Sequence, residues 1–264
     1  MTNISMKVLN SARLPLSICK GTEKERYALS GQYVKKLASI IQNKDELKIK
    51  ELKDAFVSIL PINNIEYKIV KNKQKGVYGS LYTKPKIEST DSSILINQLG
   101  YELRLPLKSG IISDKLTVLH ESRHFFDHIC NPKITVTRRF KTCEDEDISA
   151  LINKVYSMFM RSFKNKLNMK NFKNETINEM KKLKSEYKID LLQDLRHALQ
   201  TEINAYKDEF KFLIKKPKKN FSLIIEWFVF TQEFAKFKQK LKFVNALLKD
   251  ELSKRRLELR NERI

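Results

Sequence analysis

The sequence is poor in the residues that mark several large protein classes. Its 264 residues include 3 cysteines, 6 glycines and 6 prolines. The cysteines are odd in number and form no C-x-x-C pair, which argues against a disulfide framework and favours a reducing compartment. So few glycines and prolines disfavour a turn-rich β sandwich and favour a largely helical chain.

The chain also has no long apolar run. The first residues contain no apolar stretch of signal-peptide length. The longest apolar segment, residues 221–230, is too short to span a bilayer and contains Glu226. We therefore expect no transmembrane segment, and either a cytoplasmic protein or one delivered outside the cell by a route that reads no N-terminal signal.

Positive charge is abundant. The net charge is +21, and lysines outnumber arginines by 40 to 12. Dedicated nucleic-acid binders favour arginines in clustered patches, whereas these lysines are spread along the chain. We expect non-specific attraction to acidic surfaces and no specific nucleic acid. A basic nucleic-acid or partner-binding protein without catalysis is the alternative function class, and its binding would fall steeply with salt.

The spacing of apolar residues predicts an α+β chain that is predominantly helical. We expect helices from Glu23 to about Ile59 with a break at 43–45, and then a small mixed sheet. The predicted strands cover 65–70, 77–82 and 93–97, with a further strand at 134–137, and the later helices cover 147–168, 173–213 and 220–247 before a charged tail. These elements suggest an N-terminal arm at 1–20, an α/β lobe at 21–138 and a helical lobe at 139–264.

Histidine is scarce but clustered. The chain has 4 histidines, and three of them lie between His120 and His128. Residues 120–124 read HESRH, so on a helix His120 and His124 lie one turn apart on the same face, where both imidazoles can reach one zinc ion. Glu121 points beside the metal, where a general base for a zinc-activated water belongs.

The segment that carries HESRH is apolar on more than one side. Leu116, Val118, Phe125 and Phe126 cannot share a single stripe, which is typical of a buried central helix. Ser113 or Asp114 can cap its N-terminus.

A catalytic zinc site usually takes three protein ligands, so a third must come from elsewhere. Glu202 lies within the apolar face of a predicted helix, where a carboxylate is unfavourable unless it meets a cation, either a metal ion or one of the many lysines. It is our first choice, and Glu226 is its main competitor. Tyr206, one turn beyond Glu202, has a hydroxyl that can donate to the oxyanion of a tetrahedral intermediate.

Three further polar residues of this helix have less specific roles. His128 is a poor ligand because it lies about 12 Å along the helix from His120. Asp127 is suited to fix an imidazole or to pair with a basic neighbour, and a surface or capping role fits it equally well. Arg123 is suited to bind substrate or, more commonly, to form an ion pair on the helix face.

The HESRH motif resembles the HExxH helix of the zincin metallopeptidases, and Glu202 on a later helix resembles the third ligand of the gluzincin branch. The resemblance implies a mixed sheet and the HExxH helix in an N-terminal lobe, and a helical C-terminal lobe that supplies the third ligand. His120, His124 and Glu202 would bind zinc. The metzincin pattern HExxHxxGxxH does not fit, because Asp127 and Cys130 replace its glycine and histidine.

The function implied is zinc-dependent hydrolysis of a peptide bond in a protein or peptide substrate, with Glu121 as general base. We expect the substrate backbone to lie along the strand at 93–97 and extend the sheet. The small size, high basicity and single site are compatible with a toxin-type or effector-type protease that is delivered into another cell.

Overall fold

The computed structural model describes residues 21–60, 66–71, 80–90, 93–108, 111–112, 114–131, 146–160, 169–214 and 221–261. Within these ranges it describes only the backbone at 66, 82–100, 107–108, 111 and 221–230. The predicted arm at 1–20, the strand at 134–137 and Ser113 lie outside the described residues.

Helices dominate the part of the chain that the structure describes. The helices are α1 (Glu23–Gln42), α2 (Ile49–Ile59), α3 (Lys115–Cys130), α4 (Glu146–Met160), α5 (Met169–Met180), α6 (Ser185–Ile214) and α7 (Phe221–Asn261). The strands are β1 (Leu47–Lys48), β2 (Glu66–Lys71), β3 (Ser80–Thr90), β4 (Ser93–Leu105), β5 (Leu107–Lys108) and β6 (Ile111–Ile112). The predicted α+β class with a predominance of helix is confirmed. None of the described helices combines the length and the apolar composition needed to cross a bilayer.

The larger sheet is mixed, with strand order β2-β4-β3. β2 runs parallel to β4 with Glu66 opposite Gly100, and β3 runs antiparallel to β4 with Thr90 opposite Ser93. β4 is therefore the central strand. Its first part, before Gly100, is paired with β3 alone among the described strands. A second, smaller sheet joins β1, β6 and β5 in antiparallel order.

Strand β3 differs from its prediction. The sequence pattern predicted a strand at 77–82, whereas β3 covers Ser80–Thr90 and includes Pro85. Proline cannot donate to a neighbouring strand and is confined mainly to edge strands and bulges. Among the described strands β3 is bonded only to β4, and its register shifts between Lys86 and Ile87, directly after the proline. Strand β3 can therefore contain Pro85 because it lies at the edge of the sheet, although a proline in the sequence usually indicates the end of a strand.

The predicted helix at 173–213 is in fact two helices. The chain turns after Met180, where the N–H groups of Lys182 and Leu183 donate to carbonyls only three residues back, those of Glu179 and Met180. Leu183 is 4% exposed, so the turn buries an apolar side chain that a continuous helix would carry elsewhere. The helix predicted at 220–247 and the charged tail beyond it form one helix, α7, which continues to Asn261.

Helix α3 is the buried central helix that its sequence predicted. Asp114 caps it and accepts a hydrogen bond from the N–H of Leu116 at 2.9 Å. Phe125 and Phe126 are almost fully buried, and their rings lie 5.3 Å and 5.6 Å from that of Phe56 on α2. Tyr101 of β4 meets Phe125 edge-on at 5.1 Å. These aromatic contacts hold α3 against α2 and the larger sheet.

The chain divides into two compact units. One contains Met1–Phe140 and Asn204–Lys219, and the other contains Lys141–Ile203 and Asn220–Ile264. Helix α6 has residues in both. The second unit has its own core, in which the rings of Phe159 and Phe172 meet at 4.9 Å.

A lysine lies inside this second core. Lys240 is 1% exposed, and its Nζ donates to the carbonyl of Phe159 at 2.7 Å. Its ammonium also lies over the rings of Phe237 and Phe172, at 5.1 Å and 5.9 Å from their centroids. Burial lowers the pKa of Lys240 to about 8. The hydrogen bond reaches one of the terminal carbonyls of α4, which have no partner within the helix.

Replacing Lys240 by methionine should make the stability difference between the two proteins depend on pH. The pKa of Lys240 is about 8 in the folded chain and ordinarily 10.5, so between these limits the unfolded state binds more protons. The free energy of unfolding of the wild type, relative to Lys240→Met, should therefore rise by roughly 2–3 kcal/mol between pH 8 and 10.5.

Denaturant unfolding of both proteins across this range measures the difference. Lys242→Met, which changes an exposed lysine of the same helix, provides the control and should follow the wild type. Parallel curves for the wild type and Lys240→Met would show that burial does not perturb this ammonium.

Candidate metal centre

The two histidines of HESRH lie on the side of α3 that its aromatic core leaves open. Their side chains are partly exposed, in contrast to the buried residues around them. The Nε2 atoms of His120 and His124 are 3.1 Å apart. Two nitrogen ligands of one tetrahedral zinc ion, each at about 2.0–2.1 Å, are separated by roughly 3.3 Å. The two imidazoles therefore already have the spacing that a shared zinc ion requires.

Glu202 of α6 completes a group of three potential ligands. One ligand atom each from His120, His124 and Glu202 lie within 4.8 Å of one another. Two imidazole nitrogens and one carboxylate oxygen form a typical donor set of catalytic zinc, which leaves a fourth position for water or substrate. The residues thus fit the metal that the sequence predicted.

The other predicted ligands have different positions. Glu226 lies on α7, in the stretch 221–230 whose side chains the structure does not describe. His128 is half-buried on α3 and is not part of the three-residue ligand group found among the described residues.

Helix α6 presents three polar side chains on one face. Glu202, Tyr206 and Glu209 follow a spacing of four and then three residues, which places them in one row along a helix. The ring of Tyr206 meets that of His120 edge-on, with 5.2 Å between the centroids. The carboxylate of Glu209 forms a hydrogen bond with Nδ1 of His120. His120 therefore meets α6 through two contacts besides its approach to Glu202.

Glu209 was not identified from the sequence. Its signal was present, since it lies seven residues after Glu202 and a helix returns to the same face at that spacing.

Glu121 follows the first histidine and is 7% exposed. It does not belong to the ligand group of the described residues. A general base has to lie within hydrogen-bond reach of the water whose proton it accepts, and Glu121 directly follows the first of the two histidines on α3.

A buried ion-pair network lies behind the histidines. Nε of Arg123 is 3.0 Å from Oδ1 of Asp127, and Nη1 is 2.6 Å from Oδ2 of Asp208 on α6. Nη2 donates to the carbonyl of Tyr27 on α1 at 3.0 Å. Burial alone lowers the pKa of Arg123, but the two aspartates outweigh this effect and raise it, so the guanidinium stays charged. Arg123 therefore joins α3 to α1 and α6 and is not available to bind substrate.

Asp127 pairs with this basic neighbour, which settles the choice that the sequence left open. Its side chain is fully buried and accepts hydrogen bonds from Arg123 and from Ser30 of α1. Helix α1 can approach so closely because residue 31 is glycine, where an added Cβ would lie 2.9 Å from Nη1 of Arg123. Burial raises the pKa of Asp127 to about 6, although Arg123 and Ser30 act in the opposite direction.

The chain was compared with protein-family models, curated proteins and solved structures, and nothing matches it. The relation to zincins therefore stays a proposal that depends on the motif and the geometry of its residues.

Replacing Asp127 by asparagine should reveal the titration of this buried carboxyl. Its pKa is about 6 in the folded chain and ordinarily 3.8, so between these limits the folded state binds more protons. Stability is then lost as the pH rises. The free energy of unfolding of the wild type, relative to Asp127→Asn, should fall by roughly 2–3 kcal/mol between pH 4 and 7.

This difference can be measured by denaturant unfolding in the presence of a chelator, so that metal release from the histidines does not contribute. Asp45→Asn, at an exposed position, serves as the control. A wild-type curve that stays parallel to Asp127→Asn over this range would contradict the raised pKa.

Proposed function

We propose that this protein is a zinc-dependent peptidase of the zincin type, similar to the gluzincins. The observation that carries the proposal is the convergence of three donors. Nε2 of His120 and Nε2 of His124 lie 3.1 Å apart, and a ligand atom of Glu202 completes a group within 4.8 Å. Because HExxH is the sequence pattern of this enzyme class, motif and geometry support the same assignment.

Zinc held by these residues would lower the pKa of a coordinated water toward 7 and polarise a substrate carbonyl. The chain's own groups supply the proton transfers. Glu121, the residue after His120, accepts the proton of the attacking water and returns it to the leaving amine. Tyr206, whose ring lies 5.2 Å from that of His120, donates a hydrogen bond from its hydroxyl to the developing oxyanion and keeps its proton.

The substrate that this chemistry suits is an extended segment of a protein or peptide. The first part of β4, residues 93–99, pairs with β3 on one side and with no described strand on the other. An extended peptide can add to such an edge through main-chain hydrogen bonds. We propose that the substrate backbone binds there, as the sequence suggested.

Replacing Glu121 by glutamine should separate metal binding from catalysis. The purified wild type should carry about one zinc ion per chain and cleave peptides in a degenerate library, with loss of cleavage after chelation. Glu121→Gln should retain the zinc and lose at least about 100-fold in the rate of cleavage, because the amide cannot accept the proton.

Metal analysis and mass spectrometry of the library provide the two measurements. Wild-type cleavage by Glu121→Gln would sink the mechanism. A wild type without zinc, whose ligand binding falls steeply with salt and ignores chelators, would favour the alternative of a basic binding protein.

Replacing each of the two candidate third ligands in turn by glutamine should identify the one that binds zinc. We expect Glu202→Gln to weaken zinc binding strongly, because the amide is a poor ligand for a metal that prefers anionic oxygen, sulfur or imidazole nitrogen. Glu226→Gln makes the same chemical change in α7 and should leave the affinity near that of the wild type. Competition with a chromogenic chelator measures both. If Glu226→Gln weakened zinc binding and Glu202→Gln did not, Glu226 would be the third ligand.

A further inference from the structure

The imidazole of His120 has partners at both of its nitrogens. Nε2 faces Nε2 of His124 at 3.1 Å, whereas Nδ1, on the other edge of the ring, forms its hydrogen bond with Glu209. The side chains of His120 and Glu209 are 17% and 12% exposed. This contact is therefore largely shielded from water, and it lies on the side of the ring away from the proposed metal.

We infer that Glu209 is a positioning residue, which fixes the orientation and tautomer of His120 for metal binding. The inference rests on the proposed zinc site. A neutral imidazole carries a single N–H, and a carboxylate can only accept. With the proton held at Nδ1 by Glu209, the lone pair is at Nε2, on the edge that faces His124. Histidines that bind metals commonly donate their second nitrogen to a carboxylate in this way.

The geometry of α6 separates the role of Glu209 from that of Glu202. The two glutamates are seven residues apart, about 10 Å along the helix axis. Tyr206 lies between them and packs edge-on against the ring of His120. Glu209 thus occupies the Nδ1 edge of His120, whereas Glu202 lies about two turns earlier on α6. In agreement, the three-residue ligand group of the described residues includes Glu202 and not Glu209.

The residue before Glu209 anchors it. Asp208 forms the buried 2.6 Å ion pair with Arg123, which is itself the residue before His124. Two adjacent residues of α6 are therefore joined to α3, Asp208 by Arg123 and Glu209 by His120. The pair of Arg123 and Asp208 fixes the register of α6 against α3. This register keeps the carboxylate of Glu209 beside Nδ1 of His120.

Zinc affinity of the full chain tests the inference without requiring a substrate. Chelator competition would compare the wild type with Glu209→Leu, Glu209→Gln and Glu202→Leu. Losing such a partner typically weakens metal binding about 10- to 100-fold, so we expect a loss of this size for Glu209→Leu. Glu209→Gln should lose less, since its amide oxygen still accepts the N–H. Glu202→Leu should lose more, and Glu186→Gln, an exposed change on the same helix, should lose nothing.

Two further measurements separate positioning from a structural effect. Unfolding curves in a chelator report whether the metal-free fold is intact. The visible spectrum of the cobalt-loaded protein reports the geometry around the metal, and we expect its bands to shift in Glu209→Gln and to be unchanged in Glu186→Gln. If Glu209→Leu does not fold, Glu209→Gln and Glu209→Asp give the same test, with Glu209→Asp expected to restore affinity above that of Glu209→Gln.

Three results would overturn the inference. Wild-type affinity and spectrum in the Glu209 variants would show that the contact does not position His120. Loss of stoichiometric zinc in Glu209→Leu with retention in Glu202→Leu would make Glu209 a ligand. A wild type that binds no zinc would refute the proposed function itself, before any variant is compared.

Discussion

The buried ion pair between Arg123 and Asp208 is the interaction on which the arrangement of the site depends. An unpaired charge in the interior is strongly unfavourable, so a 5% exposed arginine has to keep its partners. Its guanidinium binds Asp127 one turn further along α3, Asp208 on α6 and a carbonyl of α1. A shift of α6 by one turn would leave this charge without Asp208. The same pair thereby sets which residues of α6 meet His120.

The different sides of helix α3 make different kinds of contact. Its aromatic side, with Phe125 and Phe126, packs against α2 and the sheet and fixes the helix in the core. Arg123 and Asp127 carry the ionic contacts to α1 and α6. His120 and His124 remain partly exposed, with their Nε2 atoms directed at each other. A helix held on its other sides can keep two imidazoles at a fixed separation, which is the condition for a preformed metal site.

The features that could be predicted from the sequence are those that depend on regular helical spacing or on helix capping. The histidine pair and the face of α6 that carries Glu202 and Tyr206 follow from helical spacing, and Asp114 was recognisable as a cap. The residues with which a buried charge forms its ion pairs could not be predicted in the same way. Arg123 had acidic candidates throughout the chain, and only tertiary packing brings Asp208 to it. The prediction for β3 was wrong because that strand lies at the edge of the sheet, where a proline such as Pro85 is tolerated. The position of a strand within its sheet cannot be read from the local sequence pattern.

The polar contacts of His120 also determine how protons and metal compete for the site. Because Glu209 needs a donor, a neutral His120 carries its proton at Nδ1 and has a lone pair at Nε2. A hydrogen bond between the two Nε2 atoms, which lie 3.1 Å apart, would then place the proton of His124 at its own Nε2. A metal ion bound by both nitrogens would displace that proton to Nδ1 of His124, so that both imidazoles bind as neutral rings. Glu209 biases this exchange in favour of the metal, because it keeps the remaining proton of His120 on the opposite edge of the ring.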